Sequence, residues 1–312
     1  MKNTTAHGLH HITAISSDIS RNMHFYTKVL GLRFVKQSVN QDDPGTYHLY
    51  YGDYTGSPGT ALTFFPWAGL RRGRPGSGQA YATGFSVSAG SLPFWQERFT
   101  RLQVATLPVE TRFADEVLPF FDHDGLRLEL IATSEPDPRR PAPAEDVPMD
   151  KAIRGFHSTT LGLIEAKPTA TVLTETMGYR LLGQAGHRTR YTVDDGGPGN
   201  YLDLLTDPAL PRGVSGAGTV HHVAFRASDE ANQSGARAVL VQSGLQVSPV
   251  IDRAYFKSIY YREPGGVLFE IATDQPGFAI DEPVETLGTK LSLPPHLEPH
   301  RAAIQAALPK LK

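Results

Sequence analysis

A fourfold internal repeat limits how this chain can fold more than any other feature of its sequence. Four short apolar segments resemble one another, and their starts lie roughly 65 to 75 residues apart. A unit of that length holds one helix and three or four strands. The four segments, each predicted to be a strand that opens a unit, are Gly8–Ile15, Tyr81–Ser88, Gly155–Leu163 and Val220–Ala227.

Each opening strand is followed by a stretch with apolar residues at helical spacing. The first of these has Asp18 or Ser20 as a candidate N-cap and Gly31 as its end. The four predicted helices are Asp18–Gly31, Ser91–Gln103, Lys167–Gly178 and Asp229–Gly244. Each unit then closes with an apolar segment rich in strand-forming residues. These closing strands are Thr60–Pro66, Leu126–Ala132, Tyr201–Asp207 and Gly266–Ala272.

The sequence therefore predicts an α+β protein built from four βαβββ modules. The length of 312 residues exceeds what one core usually organises and suggests two domains. The Pro-rich segment Ser134–Pro148 is predicted to be an extended linker in mid-chain. The predicted modules cover residues 8–67, 79–133, 154–207 and 218–274, and a tail over 275–312 ends in a short helix.

Charge and cysteine content restrict the chemistry and the partners. The net charge of −2 gives no basic field for a nucleic acid. The chain has no cysteine, so a metal must be held by His, Asp or Glu. No targeting segment and no membrane-length apolar run stands out, so we expect a cytoplasmic protein with no membrane partner. The oligomeric state stays open, a homo-oligomer included.

Histidines and carboxylates recur at equivalent places of the repeat. Among the opening strands, the first and fourth carry the doublets His10–His11 and His221–His222, and the third carries His157 alone. At one matching place in the closing strands stand Thr63, Glu129, Asp203 and Glu270. Two imidazoles and one carboxylate on rigid strands form the ligand set that suits non-heme Fe(II).

Strand alternation favours two of these ligands. Val267, Phe269 and Ile271 form one apolar face of the last closing strand, which leaves Glu270 on the other. By the same rule, His222 lies on the side of its strand away from the bulky apolar residues. We therefore expect His222 and Glu270 to face the same interior.

The third ligand is either His11 or His157. The first unit repeats the histidine doublet, and Thr63 at its carboxylate position would leave a coordination place for substrate or O₂. These two observations favour His11, although alternation in the first strand separates His10 from His11 less decisively. His157 remains the rival.

Other polar residues have both a functional and a structural interpretation. Arg253 and Tyr260 offer donors to a developing oxyanion, but a Tyr-rich strand is also common packing. Thr13, His10 and His221 are candidates to orient ligands or to donate protons. We interpret the remaining carboxylates, Glu129 and Asp203, as structural groups satisfied by neighbours such as Arg127.

The motifs LHHIT, VHHVAF and GGVLFE resemble the vicinal-oxygen-chelate superfamily. Together with FYTKVLGLRFVKQSVN, TYHLYYGD, GTALTFFP, HRTRY and DRAYFKSIYYREPGGVLFE, they are similar to the hydroquinone ring-cleaving dioxygenases from Gly8 to about Leu293. The resemblance implies two open barrels of mixed sheet with flanking helices. Modules 1 and 4 would share a metal-containing barrel, and modules 2 and 3 a metal-free one.

The resemblance also implies a reaction and its residues. Fe(II), or alternatively Mn(II), would be held by His11, His222 and Glu270. Catalytic roles would fall to the residues His10, Thr13, His221, Arg253 and Tyr260. The substrates would be a para-dihydroxylated aromatic ring and O₂. The alternatives are a catechol-type extradiol dioxygenase, a glyoxalase-like lyase and a non-catalytic binding protein; Thr63 argues against the lyase, which needs a fourth ligand.

Overall fold

The computed structural model describes residues 6–311, and its strands form two eight-stranded mixed sheets. The strands of the first sheet are β1 Leu9–Ser16, β2 Arg33–Asn40, β3 Asp43–Gly52, β4 Ala61–Pro66, β13 Thr219–Ala227, β14 Ile251–Asp252, β15 Phe256–Arg262 and β16 Leu268–Pro276. Those of the second are β5 Gln79–Ser88, β6 Glu110–Arg112, β7 Asp115–Phe121, β8 Arg127–Thr133, β9 Gly155–Leu163, β10 Arg180–Ala185, β11 Arg188–Thr192 and β12 Tyr201–Thr206.

The two sheets are curled into half-barrels with the same internal arrangement. The first half-barrel has the order β14-β15-β16-β13-β1-β4-β3-β2, and the second has the order β10-β11-β12-β9-β5-β8-β7-β6. In each, two opening strands pair antiparallel at the centre, β1 with β13 and β5 with β9. Each opening strand then pairs parallel with its own closing strand. The predicted α+β class with open barrels of mixed sheet is confirmed.

Five α-helices and five short helical turns flank the sheets in the described range. The α-helices are α1 Ile19–His24, α2 Leu92–Arg101, α3 Lys167–Thr171, α4 Glu230–Gln242 and α5 Arg301–Ala307. The 3₁₀ turns are Phe278–Ile280, Val284–Thr286 and Glu298–His300, and the π turns are Phe25–Val29 and Val172–Thr176. Of the two predicted caps of the first helix, Asp18 is the one used, because its carboxylate accepts the amide hydrogen of Arg21.

The predicted helices of the first and third units differ from expectation in their second halves, which are π-helical. In both, a threonine hydroxyl bonds the carbonyl four residues earlier: Thr27 to Met23 at 2.6 Å and Thr174 to Ala170 at 2.9 Å. Such bonding competes with the α-helical amide for the same carbonyl. The amide hydrogen bonds then reach five residues back.

Two segments outside the repeat fasten the half-barrels. In the linker, Arg139 donates to the Gly59 carbonyl of the first half-barrel region and to the Phe156 carbonyl of the second, at 3.0 and 2.8 Å. In the tail, Asp281 and Glu282 form ion pairs with the fully buried Lys36 of β2. Among residues 6–311, no helix is long and apolar enough to cross a membrane.

Candidate metal centre

Three adjacent strands of the first half-barrel bring His11, His222 and Glu270 together. The Nε2 atoms of the two histidines lie 3.3 Å apart. Oε2 of Glu270 lies 2.9 Å from Nε2 of His222 and 3.4 Å from Nε2 of His11. All three side chains are buried. The residues that the sequence placed together thus form one compact cluster of two nitrogens and one oxygen.

The strand register explains this convergence. His11 of β1 lies opposite Ala224 of β13, and Ala224 in turn lies beside Glu270 of β16. His222 precedes Ala224 by two residues and therefore points to the same face of the strand. The interior of a curled sheet brings these three neighbouring positions to one point.

The chemistry of the cluster fits a divalent cation. A metal about 2.1 Å from each ligand keeps neighbouring ligand atoms ~3.0–3.4 Å apart, from octahedral to tetrahedral angles. Two of the observed separations, 3.3 and 3.4 Å, fall within that range, and the third, 2.9 Å, lies just below it. Oε2 of Glu270 is buried and receives no hydrogen bond of good geometry from the described residues. Such a group needs a cation or a proton beside it.

Hydrogen bonds behind His11 define which of its nitrogens faces the cluster. Burial lowers the pKa of His10 to about 3, so that ring is neutral and carries one N–H. Its Nε2 lies 3.2 Å from the Thr273 carbonyl, which can only accept, so the hydrogen is on Nε2. Nδ1 of His10 then accepts from Nδ1–H of His11 at 2.9 Å. Nε2 of His11 is left to bind a cation.

The second doublet repeats this arrangement. Nδ1 of His221 lies 2.8 Å from Nδ1 of His222. Partial loss of water around the ring, together with the neighbouring His222, lowers the pKa of His221 below its ordinary value, although the side chain stays exposed. The neutral His221 can therefore accept from Nδ1–H of His222 and leave Nε2 of His222 toward Glu270. In both doublets the first histidine orients the second.

Glu270 is ionised in this environment. Burial by itself would raise its pKa, but the His11 and His222 imidazoles outweigh burial and hold the pKa well below its ordinary value. Its other oxygen, Oε1, accepts a hydrogen bond from the Ser258 hydroxyl. One positive charge, either a proton or a metal ion, therefore belongs between the carboxylate and the imidazoles.

The first module offers no second carboxylate at the cluster. Thr63 occupies the position that matches Glu270, and its hydroxyl lies 2.7 Å from that of Thr13. His48 reaches Thr63 from β3, with its Nε2 2.8 Å from the threonine hydroxyl. The group of possible ligands among the described residues is accordingly His11, His222 and Glu270.

A cavity of about 440 Å³ opens onto the cluster. Its walls combine aromatic groups such as Phe65, Trp67 and Phe256 with a larger number of polar side chains. Two of these are the predicted residues Arg253 and Tyr260, whose Nε and hydroxyl oxygen lie 3.2 Å apart. Tyr260 also stands opposite Glu270 on the neighbouring strand. This is a site for a small, flat, partly polar molecule.

The remaining predicted residues have different positions relative to the cavity. His221 lines it, whereas His10 and Thr13 are buried and are not among its lining residues. His157, the rival ligand, lies on β9 of the second half-barrel, with Nδ1 3.2 Å from the Ser158 hydroxyl and Nε2 3.5 Å from Asp115.

Among the polar residues of the cavity wall that sequence reasoning missed are His48 and Tyr50. Both come from the segment TYHLYYGD, in which alternate residues share a face. That alternation would have placed His48 and Tyr50 on one side of β3. It could not have shown that this side faces the cluster.

Two eight-stranded half-barrels, with a buried His–His–carboxylate cluster beside a cavity in one of them, fit a class that includes glyoxalases, bleomycin resistance proteins and dioxygenases. The model of the Glyoxalase/Bleomycin resistance protein/Dioxygenase superfamily matches residues 8–271. The chain belongs to this superfamily.

Named relatives within the superfamily match nearly the whole chain. "Putative ring-cleaving dioxygenase MhqO" of Bacillus subtilis is 46% identical over 301 residues, covering 96% of this chain and 95% of the relative. "Chlorohydroquinone/hydroquinone 1,2-dioxygenase" of Sphingobium indicum is 35% identical over 300 residues, covering 93% and 92%. A crystal structure titled as a putative dioxygenase from Bacillus subtilis has a TM-score of 0.94 at 45% identity, covering 100% and 99%.

Proposed function

We propose that the protein is an Fe(II)-dependent dioxygenase that opens a hydroquinone-type, para-dihydroxylated aromatic ring with O₂. The observation that carries the proposal is the buried His11–His222–Glu270 cluster at the cavity, with Thr63 where a fourth ligand would stand. The names of the relatives support the reaction class and the hydroquinone type of substrate. The donor set of two imidazoles and one carboxylate suits Fe(II), and Mn(II) is the alternative.

In this proposal His11, His222 and Glu270 hold the ion, and the bound ion supplies the binding and activation of O₂. His10 and His221 fix the tautomers of the two ligand histidines through the bonds between their Nδ1 atoms. The pairing of modules 1 and 4 around the ion, with modules 2 and 3 free of metal, is part of the same proposal.

Arg253 and Tyr260 are proposed to act on the substrate oxygen. Burial is the main reason why the pKa of Tyr260 is raised far above its ordinary value, so its phenol stays protonated and can donate. The permanent charge of Arg253 lies next to that phenol and favours negative charge on a bound oxygen. Thr13 is proposed as a further donor.

The aromatic walls are proposed to hold the ring and to exclude water. Phe65 and Trp67 lie on one side of the cavity, with ring centroids 5.3 Å apart. Asp43 holds Trp67 in place, because its carboxylate accepts the indole N–H at 2.9 Å. A flat substrate would bind between such faces.

Metal analysis and O₂ uptake together test the proposal. Protein purified without oxygen and loaded with Fe(II) should retain about one ion per chain and consume O₂ with small hydroquinones. Catechols should support little uptake. Uptake with catechol alone would favour the extradiol alternative, and full binding of aromatic ligands without any uptake would favour a binding protein.

A further inference from the structure

A chain of four hydrogen-bonded side chains begins at the buried Thr13, beside the His11–His222–Glu270 cluster, and ends at His48 and Tyr50 in the wall of the cavity. Thr13 and Thr63 are joined by their hydroxyls at 2.7 Å. Thr63 is joined to Nε2 of His48 at 2.8 Å, and Nδ1 of His48 to the Tyr50 hydroxyl at 2.7 Å. No predicted role in the reaction accounts for His48 or Tyr50.

Strand register connects this chain to the metal cluster. Thr13 of β1 lies opposite His222 on one side and opposite Thr63 on the other. Thr13 also lies two residues from His11, so the two side chains point to the same face of β1. The inner end of the chain is therefore next to the proposed ligands.

A local pseudo-symmetry assigns the outer end to the site as well. Tyr50 stands opposite Thr63 just as Tyr260 stands opposite Glu270. The residue two positions before each tyrosine bonds the facing group: His48 bonds Thr63, and Ser258 bonds Glu270. Both tyrosines line the same cavity. The first module thus supplies a counterpart to the Tyr260 side of the site.

The chain has four polar hydrogens and three internal bonds, so one hydrogen is left at one end. If Tyr50 donates to Nδ1 of His48, then Nε2–H donates to Thr63, Thr63 donates to Thr13, and the Thr13 hydrogen is free for a ligand. In the opposite direction an imidazole N–H would donate to the phenol oxygen of Tyr50, which is a weaker acceptor than the imidazole nitrogen that the phenol O–H meets in the first direction. Burial also raises the pKa of Tyr50 well above its ordinary value, so it stays a donor.

We propose that His48 and Tyr50 are positioning residues, which act through Thr63 to aim the hydroxyl hydrogen of Thr13 at a substrate oxygen beside the His11–His222–Glu270 cluster. The inference rests on the proposed ring-cleaving function for its substrate. An oxygen anion bound next to Thr13 completes a fourth hydrogen bond in this direction, whereas the reverse direction would turn the Thr13 hydrogen toward Thr63. The chain therefore selects substrates that place an oxygen acceptor next to Thr13.

The first experiment measures the chain without metal or substrate. In metal-free protein labelled with ¹⁵N at histidine, His48 should be the Nε2–H tautomer, and a His48→Gln variant identifies its signals. Tyr50→Phe should remove this preference, because no donor then faces Nδ1. An Nδ1–H tautomer in the wild type, or a tautomer unchanged in Tyr50→Phe, would overturn the proposal.

The second experiment measures turnover of the iron-loaded enzyme with hydroquinone. Thr63→Val and Tyr50→Phe should each lower kcat about tenfold, the effect of one well-placed hydrogen bond. The double variant should be no slower than Thr63→Val, because a chain cut once is already disconnected. Iron content should stay at the wild-type level. Additive losses would contradict the chain.

Two comparisons separate positioning from other causes. His48→Gln keeps one donor and one acceptor and should retain kcat within about threefold, whereas His48→Leu should match Thr63→Val. If His48→Gln and His48→Leu lost kcat equally, the His48 imidazole would act by transferring a proton and not by positioning Thr63. Tyr51→Phe is the matched control, since it removes a buried hydroxyl bonded to Asn22 at 2.9 Å on the other face of β3. Its kcat should be unchanged, and a loss equal to that of Tyr50→Phe would point to general damage.

The two proposals fail in different ways. If the wild type consumes no O₂ with any hydroquinone, the proposed function falls, and the tautomer experiment still decides whether the chain is oriented. If uptake is normal and the chain variants are all neutral, only the inference about His48 and Tyr50 falls.

Discussion

Strand register makes the interiors of the two half-barrels directly comparable. Two places can be compared in every unit. The first is the residue of the closing strand that matches Glu270, and the second is the residue of the opening strand two positions before its register partner. In the first half-barrel these places hold His11, Thr63, His222 and Glu270. In the second they hold Ala82, Glu129, Ser158 and Asp203. The second half-barrel has two carboxylates but no imidazole at the equivalent positions.

Arginines balance the buried carboxylates of the second half-barrel. Arg112 bonds both oxygens of Glu129, at 2.6 and 3.0 Å. Arg190 bonds both oxygens of Asp203, at 2.8 and 3.1 Å. The expected neighbour Arg127 is a lesser partner of Glu129, at 3.5 Å. Both carboxylates are therefore paired with a cation that belongs to the chain, as expected for structural groups.

The third and fourth units differ in the group that the strand next to the closing strand places opposite the carboxylate. Opposite Asp203 that strand supplies Arg190, and opposite Glu270 it supplies Tyr260. A carboxylate with a guanidinium beside it has its charge neutralised permanently. Glu270 has the imidazoles of His11 and His222 instead, and in the proposed function these three groups hold an exchangeable cation. The comparison teaches that the same fold position can hold a carboxylate paired with an arginine or a carboxylate beside imidazoles, depending on what the surrounding strands supply.

His157 fits this comparison as the counterpart of His10 and His221. It lies one residue before Ser158, and its Nδ1 bonds that serine as the first histidine of each doublet bonds the second. Burial, with nearby arginines, lowers its pKa well below the ordinary value. His157 thus occupies the orienting position of a doublet that lacks the ligand histidine.

The largest expected effect comes from removing the carboxylate of the first half-barrel. Glu270→Gln should lower bound iron at least tenfold and abolish O₂ uptake, because a neutral amide neither binds nor balances the ion. Glu129→Gln, the equivalent change in the second half-barrel, should keep both. Metal analysis after anaerobic loading measures this. Full iron content in Glu270→Gln would contradict the proposal that the carboxylate of the first half-barrel holds the ion and that of the second does not.

A second carboxylate should turn the first half-barrel into a closed site. Thr63→Glu supplies the group that the second half-barrel has at this place, and it should occupy a coordination position needed by substrate or O₂. We expect iron to be retained and uptake to fall at least tenfold below that of Thr63→Gln. Thr63→Gln breaks the same hydroxyl bonds without adding charge. Equal rates in the two variants would show that this position is not open.

Glu129→Gln should lower the stability of the fold, whereas Glu270→Gln should lower the amount of bound iron. Among the described residues, Glu129→Gln leaves the buried Arg112 with only Glu110 as an ionic partner, and we expect a loss of about 3 kcal/mol in the free energy of unfolding. Urea unfolding measures it. Adding Arg112→Met should recover most of the loss, because the unpaired charge is gone. If Glu129→Gln alone left the free energy of unfolding unchanged, the Arg112–Glu129 ion pair would not be structural.

The smallest expected effect is a pH dependence of the difference in unfolding free energy between the wild type and Glu129→Gln. Burial opposes ionisation of Glu129, but the Arg112 bond and charge outweigh it and lower the pKa. Its contribution to stability is therefore present above the unfolded pKa of about 4.3 and is lost as pH falls through the lower folded value. The stability gap between wild type and Glu129→Gln should narrow from pH 7 toward acid. A gap that widens would reverse the assigned sign.

Much of the fold and of the cluster could be predicted from sequence, because the necessary signals are local. The repeat of apolar segments predicted the opening and closing strands, and alternation placed His222 with Glu270 on one face. Alternation in β1 did not by itself decide between His10 and His11. The preference for His11 over His157 needed the doublet and the family resemblance. Metal binding by these residues stays a prediction.

Other features could not be predicted, since they depend on pairing between distant segments. Arg112 was missed as the partner of Glu129 because it lies on β6, which reaches β8 only through β7. His48 and Tyr50 were missed because β3 meets the site through its register with β4. The π turns were missed because apolar spacing does not distinguish them from α-helix.

By itself the sequence determined the modules, their order and the chemical groups that each one presents, since side-chain period and residue type are local properties. Only the tertiary structure decided which strands meet at the centre of each half-barrel and which buried carboxylate receives an arginine. The reason is that hydrogen-bond register between segments as distant as β1 and β13 fixes those contacts. Residue spacing along the chain carries no direct record of that register.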